Sequence, residues 1–233
     1  KPVSYTAVAT SAFRTAKNAS HFVKIIQREL GIQTKIISQD EEAILGVNAI
    51  YSKLGAGNKE NLVVWDIGGG SMQISALVNG KIETYKGGLA SVTFKDQIIK
   101  EILPVSRRKA TGPNPLSQAQ ISKALILSKI SSLNVSKAIK KRLRNKKTKV
   151  IGIGGVHNFS ILGQVGNKTN RYNQIDLQKT IQTKYNMTDK EIGGKYASTQ
   201  VSNLALVLGH MQGLQIQKVE VAKINMTDGQ LIE

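Results

Sequence analysis

The spacing of apolar and polar residues predicts alternating strands and helices at the start of the chain. Residues 5–10 and 34–37 are short apolar and β-branched runs, which are typical of strands. Residues 20–30 and 41–54 carry apolar side chains at helical spacing, and Gly31 predicts where the first of these helices ends. The apolar stripe of that helix consists of Phe22, Ile25, Ile26 and Leu30. This alternation is typical of an α/β fold.

A glycine-rich turn between two apolar runs is the most informative stretch. Leu62–Ile67 predicts a strand that carries Asp66, and Met72–Val78 predicts the strand that returns. Three glycines and Ser71 at the tip let backbone N–H groups converge on an anion, because no Cβ blocks the approach. A carboxylate just before such a turn suits a metal ion or a metal-bound water. The stretch therefore predicts half of a metal-assisted phosphate site, although an ordinary glycine-rich hairpin has the same pattern.

A second strand that ends in glycines lies in the more helical second half. Lys149–Ile153 predicts a buried strand that runs into Gly154 and Gly155 and then into a helix. Without further context, a simple strand-to-helix corner explains this turn almost as well. Further helices are predicted over residues 90–103, 177–185, 188–192 and 200–214 and after Ser117 and Ser136, and further strands over 81–86 and 219–224.

The amino-acid composition excludes some classes of function but does not identify one. Lys and Arg outnumber Asp and Glu by 33 to 15, so the formal net charge of +18 attracts polyanions. Two basic clusters, residues 107–109 and 140–142, are candidate contacts, although a solvated surface has the same pattern. The absence of cysteine excludes a disulfide framework and thiolate metal sites. No segment approaches the ~18 uninterrupted apolar residues of a membrane span.

Four short motifs carry a resemblance to a known family. They are residues 9–18, 37–43, 66–71 and 152–155, in that order along the chain. Together they resemble the successive signatures of the exopolyphosphatase and guanosine pentaphosphate phosphohydrolase (Ppx/GppA) family. The resemblance implies membership of the actin-like ATPase superfamily. It therefore implies an α/β protein with a cleft between two ribonuclease-H-like domains.

The resemblance and a glycine-rich linker at residues 55–60 predict the domain organisation. Residues 1–58 are expected to form the remaining part of the first ribonuclease-H-like domain. Residues 59–233 are expected to form the second, with helical insertions and with the last residues returning to the first domain. The family's opening phosphate loop has no counterpart among these residues. We therefore expect a segment upstream of Lys1.

The resemblance also implies roles for the residues that match the family's motifs. Glu42, rather than Glu41, is similar to the general base that activates the attacking water, although spacing alone favours a surface Glu that complements the helix dipole. Arg14 resembles the phosphate-contacting arginine, and a surface ion pair is the alternative. Asp66 is expected to hold Mg²⁺ or another divalent cation, directly or through water. The residues expected to contact the phosphates around the glycines are Gly68, Gly69, Gly70, Ser71, Gly154 and Gly155.

Three departures from the family's pattern bear on catalysis. Members usually continue the glycine turn with Thr-Glu, whereas this chain has Met72 and Gln73. Gln73 is therefore expected to be a weak metal ligand, because an amide oxygen lacks the formal charge that a hard cation prefers. Val156 stands where the family commonly has Thr, and residues 228–233 lack an expected arginine. These departures concern metal binding and turnover and leave the predicted fold unchanged.

Three functions compete. The first is release of a terminal phosphate from polyphosphate or guanosine pentaphosphate by a water that Glu42 activates with the help of Mg²⁺. The second is a binding or sensing module of the same fold without turnover. The third is a nucleic-acid-binding protein, which has no support from a recognised motif or from the aromatic content of only 5%. We expect a phosphate substrate as partner, no specific nucleic acid and no membrane, in a cytoplasmic protein compatible with a homodimer.

Overall fold

Two β-sheets and the helices around them make up the described part of the chain. The structure is a computed structural model that describes residues 5–54, 59–166 and 169–230, so residues 55–58 of the predicted linker lie outside the described residues. The strands are β1 (Thr6–Ala9), β2 (Gln33–Ile36), β3 (Leu62–Ile67), β4 (Met72–Val78), β5 (Lys81–Gly87), β6 (Lys149–Ile153), β7 (Arg171–Asn173) and β8 (Lys218–Val221). The helices are α1 (Ser11–Thr15), α2 (Ala19–Leu30), α3 (Gln39–Leu54), α4 (Ser91–Glu101), α5 (Gln118–Ser132), α6 (Lys137–Leu143), α7 (Leu162–Val165), α8 (Gln174–Gln182), α9 (Asp189–Ile192), α10 (Ala197–Leu214) and α11 (Met226–Gln230). Single 3-10 turns lie at Lys59–Asn61 and Val105–Arg107, and a π-helical stretch lies at Val156–Ile161.

The larger sheet brings the two glycine turns to one edge. Its strand order is β5-β4-β3-β6-β8-β7, whereas β1 and β2 form a parallel pair of their own. β3 pairs antiparallel with β4 and parallel with β6. Because neighbouring parallel strands end at the same edge, the turns that follow β3 and β6 meet there. We call them the first glycine turn (residues 68–71) and the second glycine turn (residues 154–155).

Successive residues of β3 point into two separate apolar cores. Trp65 and Ile67 are fully buried in the core that α4, α5 and α10 cover. Val64 points to the other face, where it packs with Ile50 of α3. Each such buried side chain contributes roughly 1.5–3 kcal/mol to folding. By the same alternation, Asp66 points to the face that α3 covers.

A small polar network surrounds Trp65 inside the first of these cores. The ring of His157 lies edge-on to Trp65 at 4.9 Å between centroids, and the ring of His210 lies at 6.0 Å. Nδ1 of His157 is hydrogen-bonded to the hydroxyl of Tyr172 at 2.6 Å, and Nδ1 of His210 to that of Ser128 at 2.8 Å. Both imidazoles are buried, and burial lowers their pKa to about 3 for His157 and about 4 for His210. Both histidines are therefore neutral at physiological pH.

Helix α3 packs against the larger sheet although it belongs to the predicted first domain. Its contact is the second core, which it forms with Val64 and Ile153 of that sheet. Helix α11 also packs on α3, where a Cβ on Gly229 would overlap the backbone carbonyl of Leu45. The predicted division at residue 58 and the return of the last residues stay predictions.

The structure differs from the sequence predictions at short and exposed elements. Helices α1 and α11 and strand β7 have five residues or fewer, too few to produce a periodic pattern. The last strand ends at Val221, not at residue 224. The predicted apolar stripe of α2 is largely uncovered, since Phe22 and Leu30 are 48% and 66% exposed. Within residues 5–54, 59–166 and 169–230, no helix has the length and apolar character needed to cross a membrane.

Candidate active site

The first turn of α3 gives its two adjacent glutamates different environments. Ser38 accepts a hydrogen bond from the backbone N–H of Glu41, and the Glu41 carboxylate accepts one from the N–H of Ser38, which is a capping box. Lys35 also donates to Glu41 at 2.6 Å. These bonds, that of Lys35 first, lower the pKa of Glu41 to about 2. Glu41 thus stabilises the start of the helix, and Glu42 points inward with 8% of its surface exposed.

Arg14 joins Glu42 to the first glycine turn. Its Nη2 donates to Oε2 of Glu42 at 2.8 Å and to the hydroxyl of Ser71 at 3.1 Å. Its Nη1 donates to the backbone carbonyl of Ile37 at 2.9 Å, at the end of β2. A planar guanidinium can make these bonds together because its donors form a rigid fork. Arg14 therefore positions the carboxylate beside the turn.

Gln73 contacts the same carboxylate from the larger sheet. Its Nε2 lies 3.4 Å from Oε2 of Glu42, and only 2% of the residue is exposed. In the register of β3 and β4, Gln73 is directly opposite Asp66, so both side chains lie on the α3 face. The amide nitrogen of Gln73 is thus directed at Glu42. The weak metal-ligand role of its oxygen stays a prediction.

Asp66 lies between Glu42 and the second glycine turn. Burial, and then the negative charge of Glu42, raise its pKa to about 7. A Cβ on Gly154 would overlap Oδ1 of Asp66 and would come within 2.7 Å of the carbonyl oxygen of Ile67. Gly154 also has φ +84°, a conformation that favours glycine. The second turn can therefore approach Asp66 only because residue 154 is glycine.

The first glycine turn is held by helix α4 and by α1. The N–H groups of Ser91 and Val92 donate to the carbonyls of Gly68 and Gly69 at 3.1 and 2.8 Å. Within the turn, the N–H of Gly68 donates to the carbonyl of Ser71 at 3.0 Å. On the side of α1, a Cβ on Gly70 would overlap the hydroxyl of Ser11. These contacts fix the turn in one orientation between α4 and α1.

A cavity of about 810 Å³ opens beside both turns. Its wall includes Gly68, Gly69, Gly155, Phe159, Lys195 and Tyr196. The rings of Phe159 and Tyr196 are 77% and 67% exposed. Two further wall residues, Gln164 and Asn203, each have a buried amide oxygen that finds no hydrogen-bond partner among the described residues. Sequence reasoning missed these residues because they come from separate elements and form no motif.

The donor set is compatible with a hard divalent cation held by few protein ligands. Among the described residues, no three His, Cys, Asp or Glu side chains converge to hold a metal. Mg²⁺ does not require such a cluster, because it is usually bound through one or two carboxylates, waters and substrate phosphates. The raised pKa of Asp66 beside Glu42 marks a place where a cation would relieve repulsion between two carboxylates. The role of Asp66 as the residue that holds it stays a prediction.

Fold and site together define an α/β protein in which two glycine turns meet at one edge of the larger sheet, close to a buried arginine–glutamate pair. The model of the Ppx/GppA phosphatase family matches residues 1–231, so the chain belongs to that family. The sequence resemblance is thereby confirmed.

Solved structures show the same fold. A Ppx/GppA enzyme from Aquifex aeolicus superposes with a TM-score of 0.75 at 16% identity, over 97% of this chain and 74% of that one. An exopolyphosphatase from Cytophaga hutchinsonii gives 0.70 at 15% identity, over 97% and 73%. The predicted α/β, ribonuclease-H-like fold is therefore confirmed.

A curated relative matches over a shorter segment. It is a bifunctional 3-dehydroquinate synthase/phosphatase from Fusobacterium nucleatum, 37% identical over 67 residues. The segment makes up 29% of this chain and 10% of that protein.

Proposed function

We propose that this protein is a phosphohydrolase that releases the terminal phosphate of inorganic polyphosphate or of guanosine pentaphosphate. Its membership of the Ppx/GppA phosphatase family supports the reaction class. The observation that carries the proposal is the arrangement of Glu42, a buried carboxylate fixed by Arg14 at 2.8 Å beside the first glycine turn. Such a carboxylate can act on one water molecule at a defined position.

In the proposed reaction, Glu42 accepts a proton from a water that attacks the terminal phosphorus. A bond forms between the water oxygen and phosphorus, the bridging P–O bond breaks, and the shortened chain leaves with the electron pair. When bound, Mg²⁺ would neutralise charge on the phosphate oxygens, with Asp66 as its main protein ligand and Gln73 as a weak one. The buried surroundings of Glu42 strengthen its interaction with that water.

Phosphate binding is proposed for Arg14 and for the two glycine turns. Arg14 has five N–H donors, of which its bonds to Ile37, Glu42 and Ser71 leave some for a phosphate oxygen. Backbone N–H groups at Gly69, Gly70, Ser71, Gly154 and Gly155 would donate to the remaining phosphate oxygens. The N–H of Gly68, also predicted to contact phosphate, already donates to the carbonyl of Ser71, so Gly68 would contribute by shaping the turn.

The cavity beside the turns supports a nucleotide as the second substrate. Its volume of about 810 Å³ suits a small molecule, and the exposed rings of Phe159 and Tyr196 offer stacking surfaces for a base. The unpartnered amide oxygens of Gln164 and Asn203 could accept hydrogen bonds from exocyclic amines. These features are useful for guanosine pentaphosphate and have no role with polyphosphate.

A binding or sensing module without turnover is the second candidate function. The ion pair between Arg14 and Glu42 favours it, because Oε2 of Glu42 already accepts a hydrogen bond from Arg14 at 2.8 Å and is less available to an attacking water. Gln73 in place of the family's Glu favours it as well, since the charge of one metal ligand is lost.

Phosphate release by the purified protein separates the two candidates. The protein should be incubated with Mg²⁺ and either long-chain polyphosphate or guanosine pentaphosphate, and both free phosphate and binding should be measured. Release above the protein-free rate supports the hydrolase. Saturable binding of either compound without release would replace it by the binding module, and stronger binding of DNA than of polyphosphate would overturn both.

A further inference from the structure

A second concave surface lies at the edge of the larger sheet opposite the glycine turns. Its volume is about 840 Å³, and its walls are the turn between α6 and β6 and the segment that enters β8. We call it the basic groove. Since β6 spans five residues from Lys149 to Ile153, the groove lies about 13 Å or more from the second glycine turn. It is therefore separate from the candidate active site.

The wall of the groove is strongly positive. Its wall contains Arg144, Lys146, Lys147, Lys149 and Lys218 against one acid, Glu220. Glu220 pairs with Lys218 at 3.0 Å. In the part of the chain that the structure describes, the other four cations have no acid within ion-pair distance. Cations collected around a concave surface focus their field there and attract a polyanion.

The structure separates this groove from the basic clusters picked out by the sequence. Arg107 donates to the carbonyls of Pro113, Asn114 and Pro115 and thus holds its own loop. Lys140 donates to the carbonyl of Leu133, and Arg142 to that of Leu77. These cations stabilise the fold. Among the described contacts, the side chains of Arg144, Lys146, Lys147 and Lys149 make no hydrogen bond or ion pair that holds the fold. They are therefore available for a ligand.

The lining indicates which polyanion the groove suits. Its residues include no Phe, Tyr or Trp. Proteins that bind single-stranded nucleic acid combine basic grooves with aromatic rings on which the bases stack. Without rings, the groove offers charge alone, which suits a phosphate polymer without bases.

We propose that the basic groove binds an internal stretch of a long inorganic polyphosphate chain whose end reaches the glycine turns. The identity of this ligand rests on the proposed function. A chain held at two points gains affinity because the second contact is intramolecular. Tripolyphosphate is too short to reach both places, so the groove would add affinity for long chains only.

A triple variant of the groove tests this proposal against a control with the same loss of charge. Lys146, Lys147 and Lys149 are changed to Gln together. The control changes Lys123, Lys129 and Lys179 to Gln, three exposed lysines on α5 and α8. Binding of long-chain polyphosphate and of tripolyphosphate is measured in EDTA over a range of salt concentrations, and thermal melting checks the folding of each variant.

The groove variant is expected to bind long-chain polyphosphate roughly tenfold or more weakly, with a salt slope smaller by about 2, while its affinity for tripolyphosphate is unchanged. Equal weakening in the control would overturn the proposal, since it would show an effect of net charge only. Equal weakening for tripolyphosphate would overturn it too. Single-stranded DNA that competes as well as polyphosphate in wild type, but not in the variant, would reassign the groove to nucleic acid. Because binding is measured without turnover, a protein that binds as expected but releases no phosphate would overturn the proposed function and leave this inference standing.

Discussion

Arg14 and Glu42 form an ion pair of 2.8 Å in which the same guanidinium nitrogen also contacts Ser71 of the first glycine turn. One side chain therefore links α1, α3 and the turn that follows β3. The pair is mostly buried, with side-chain exposures of 19% and 10%. Removing one partner would leave the other charge in a poorly solvated place, so both the site and the local fold depend on the pair.

Glu42→Gln should abolish phosphate release while binding of polyphosphate is retained. Loss of a general base lowers a rate by ~10²–10⁴, whereas no attractive contact to an anion is lost. The measurement is phosphate release under saturating substrate, with polyphosphate affinity determined in parallel.

Glu41→Gln is the matched control for this substitution. A glutamine at residue 41 can still accept the hydrogen bond from the N–H of Ser38, so the capping box is kept. We expect its turnover to equal that of wild type. Normal turnover in Glu42→Gln would mean that another carboxylate, with Asp66 first in line, is the base.

Gln73→Glu should make the protein more dependent on Mg²⁺ for stability and lower the Mg²⁺ concentration needed for half-maximal hydrolysis. The new carboxylate would lie beside Glu42 and opposite Asp66, so three acids would repel one another without a cation. The melting temperature should fall in EDTA and recover on addition of Mg²⁺ by more than in wild type.

The control for Gln73→Glu is Gln178→Glu, which adds the same charge on the exposed side of α8. Its melting temperature should respond to Mg²⁺ as in wild type. If Gln73→Glu shows the wild-type response as well, Gln73 lies outside the metal's reach and the argument for impaired catalysis from this residue fails.

Gly154→Ala should destabilise the protein and reduce phosphate release together. A Cβ at residue 154 would overlap Asp66, and an alanine there would also have to adopt a backbone φ of +84°. Gly31→Ala separates these causes, because Gly31 has φ +67° but no atom within 4 Å of an added Cβ. Backbone strain alone should cost about 1–2 kcal/mol, seen in denaturant unfolding of Gly31→Ala.

Gly154→Ala is expected to lower the free energy of unfolding by more than Gly31→Ala does. Its phosphate release should also drop at temperatures where the variant is still folded. Equal unfolding free energies for the two variants, with full activity of Gly154→Ala, would show that the second turn does not need to touch Asp66.

Acid should destabilise the fold through the two core histidines. Burial lowers the pKa of His157 to about 3 and that of His210 to about 4, below their ordinary value of 6.5. The unfolded chain then binds protons that the folded chain cannot, so this stability is present above pH 6.5 and is lost as the pH falls toward 4. Each histidine should contribute a loss of about 1.4 kcal/mol per pH unit in that window.

Denaturant unfolding at a series of pH values measures this loss. His210→Gln should reduce the slope between pH 6 and 4, whereas His21→Gln, a change on the exposed surface of α2, should keep it. A slope that is the same in His210→Gln as in wild type would assign the acid sensitivity to carboxylates instead.

Sequence reasoning works where a pattern is local. The strand, turn and strand over residues 62–78 were predictable because apolar runs and glycines lie next to one another. The helices predicted after Ser117 and Ser136 are also present, and each serine is the N-cap of its helix. By contrast, Arg14 is 28 residues from Glu42 and 57 from Ser71, and only the fold brings them together. Periodicity also cannot reveal whether a stripe has a partner, as the exposed Phe22 shows.

The choice between Glu41 and Glu42 was only partly predictable from the sequence. The resemblance to the family favoured Glu42. Whether Glu42 is buried, however, depends on how α3 is rotated about its axis where it packs on the larger sheet. The aromatic cavity was beyond prediction, since it is assembled from segments that are distant in sequence. The four unpaired cations of the basic groove lie together at residues 144–149, but only the fold shows that they line a concave surface.

Trp65 is the only tryptophan of the chain, and it precedes Asp66 on β3. Its ring meets His157, which lies two residues beyond Gly155. All tryptophan fluorescence of the protein therefore comes from one point on the strand that leads into the first glycine turn. The indole packs edge-on against the ring of His157 at 4.9 Å, so any ligand that shifts β3 against the start of the π-helical stretch changes the surroundings of the indole and with them its emission. Binding of a cation or a phosphate can then be followed optically in the unlabelled native protein.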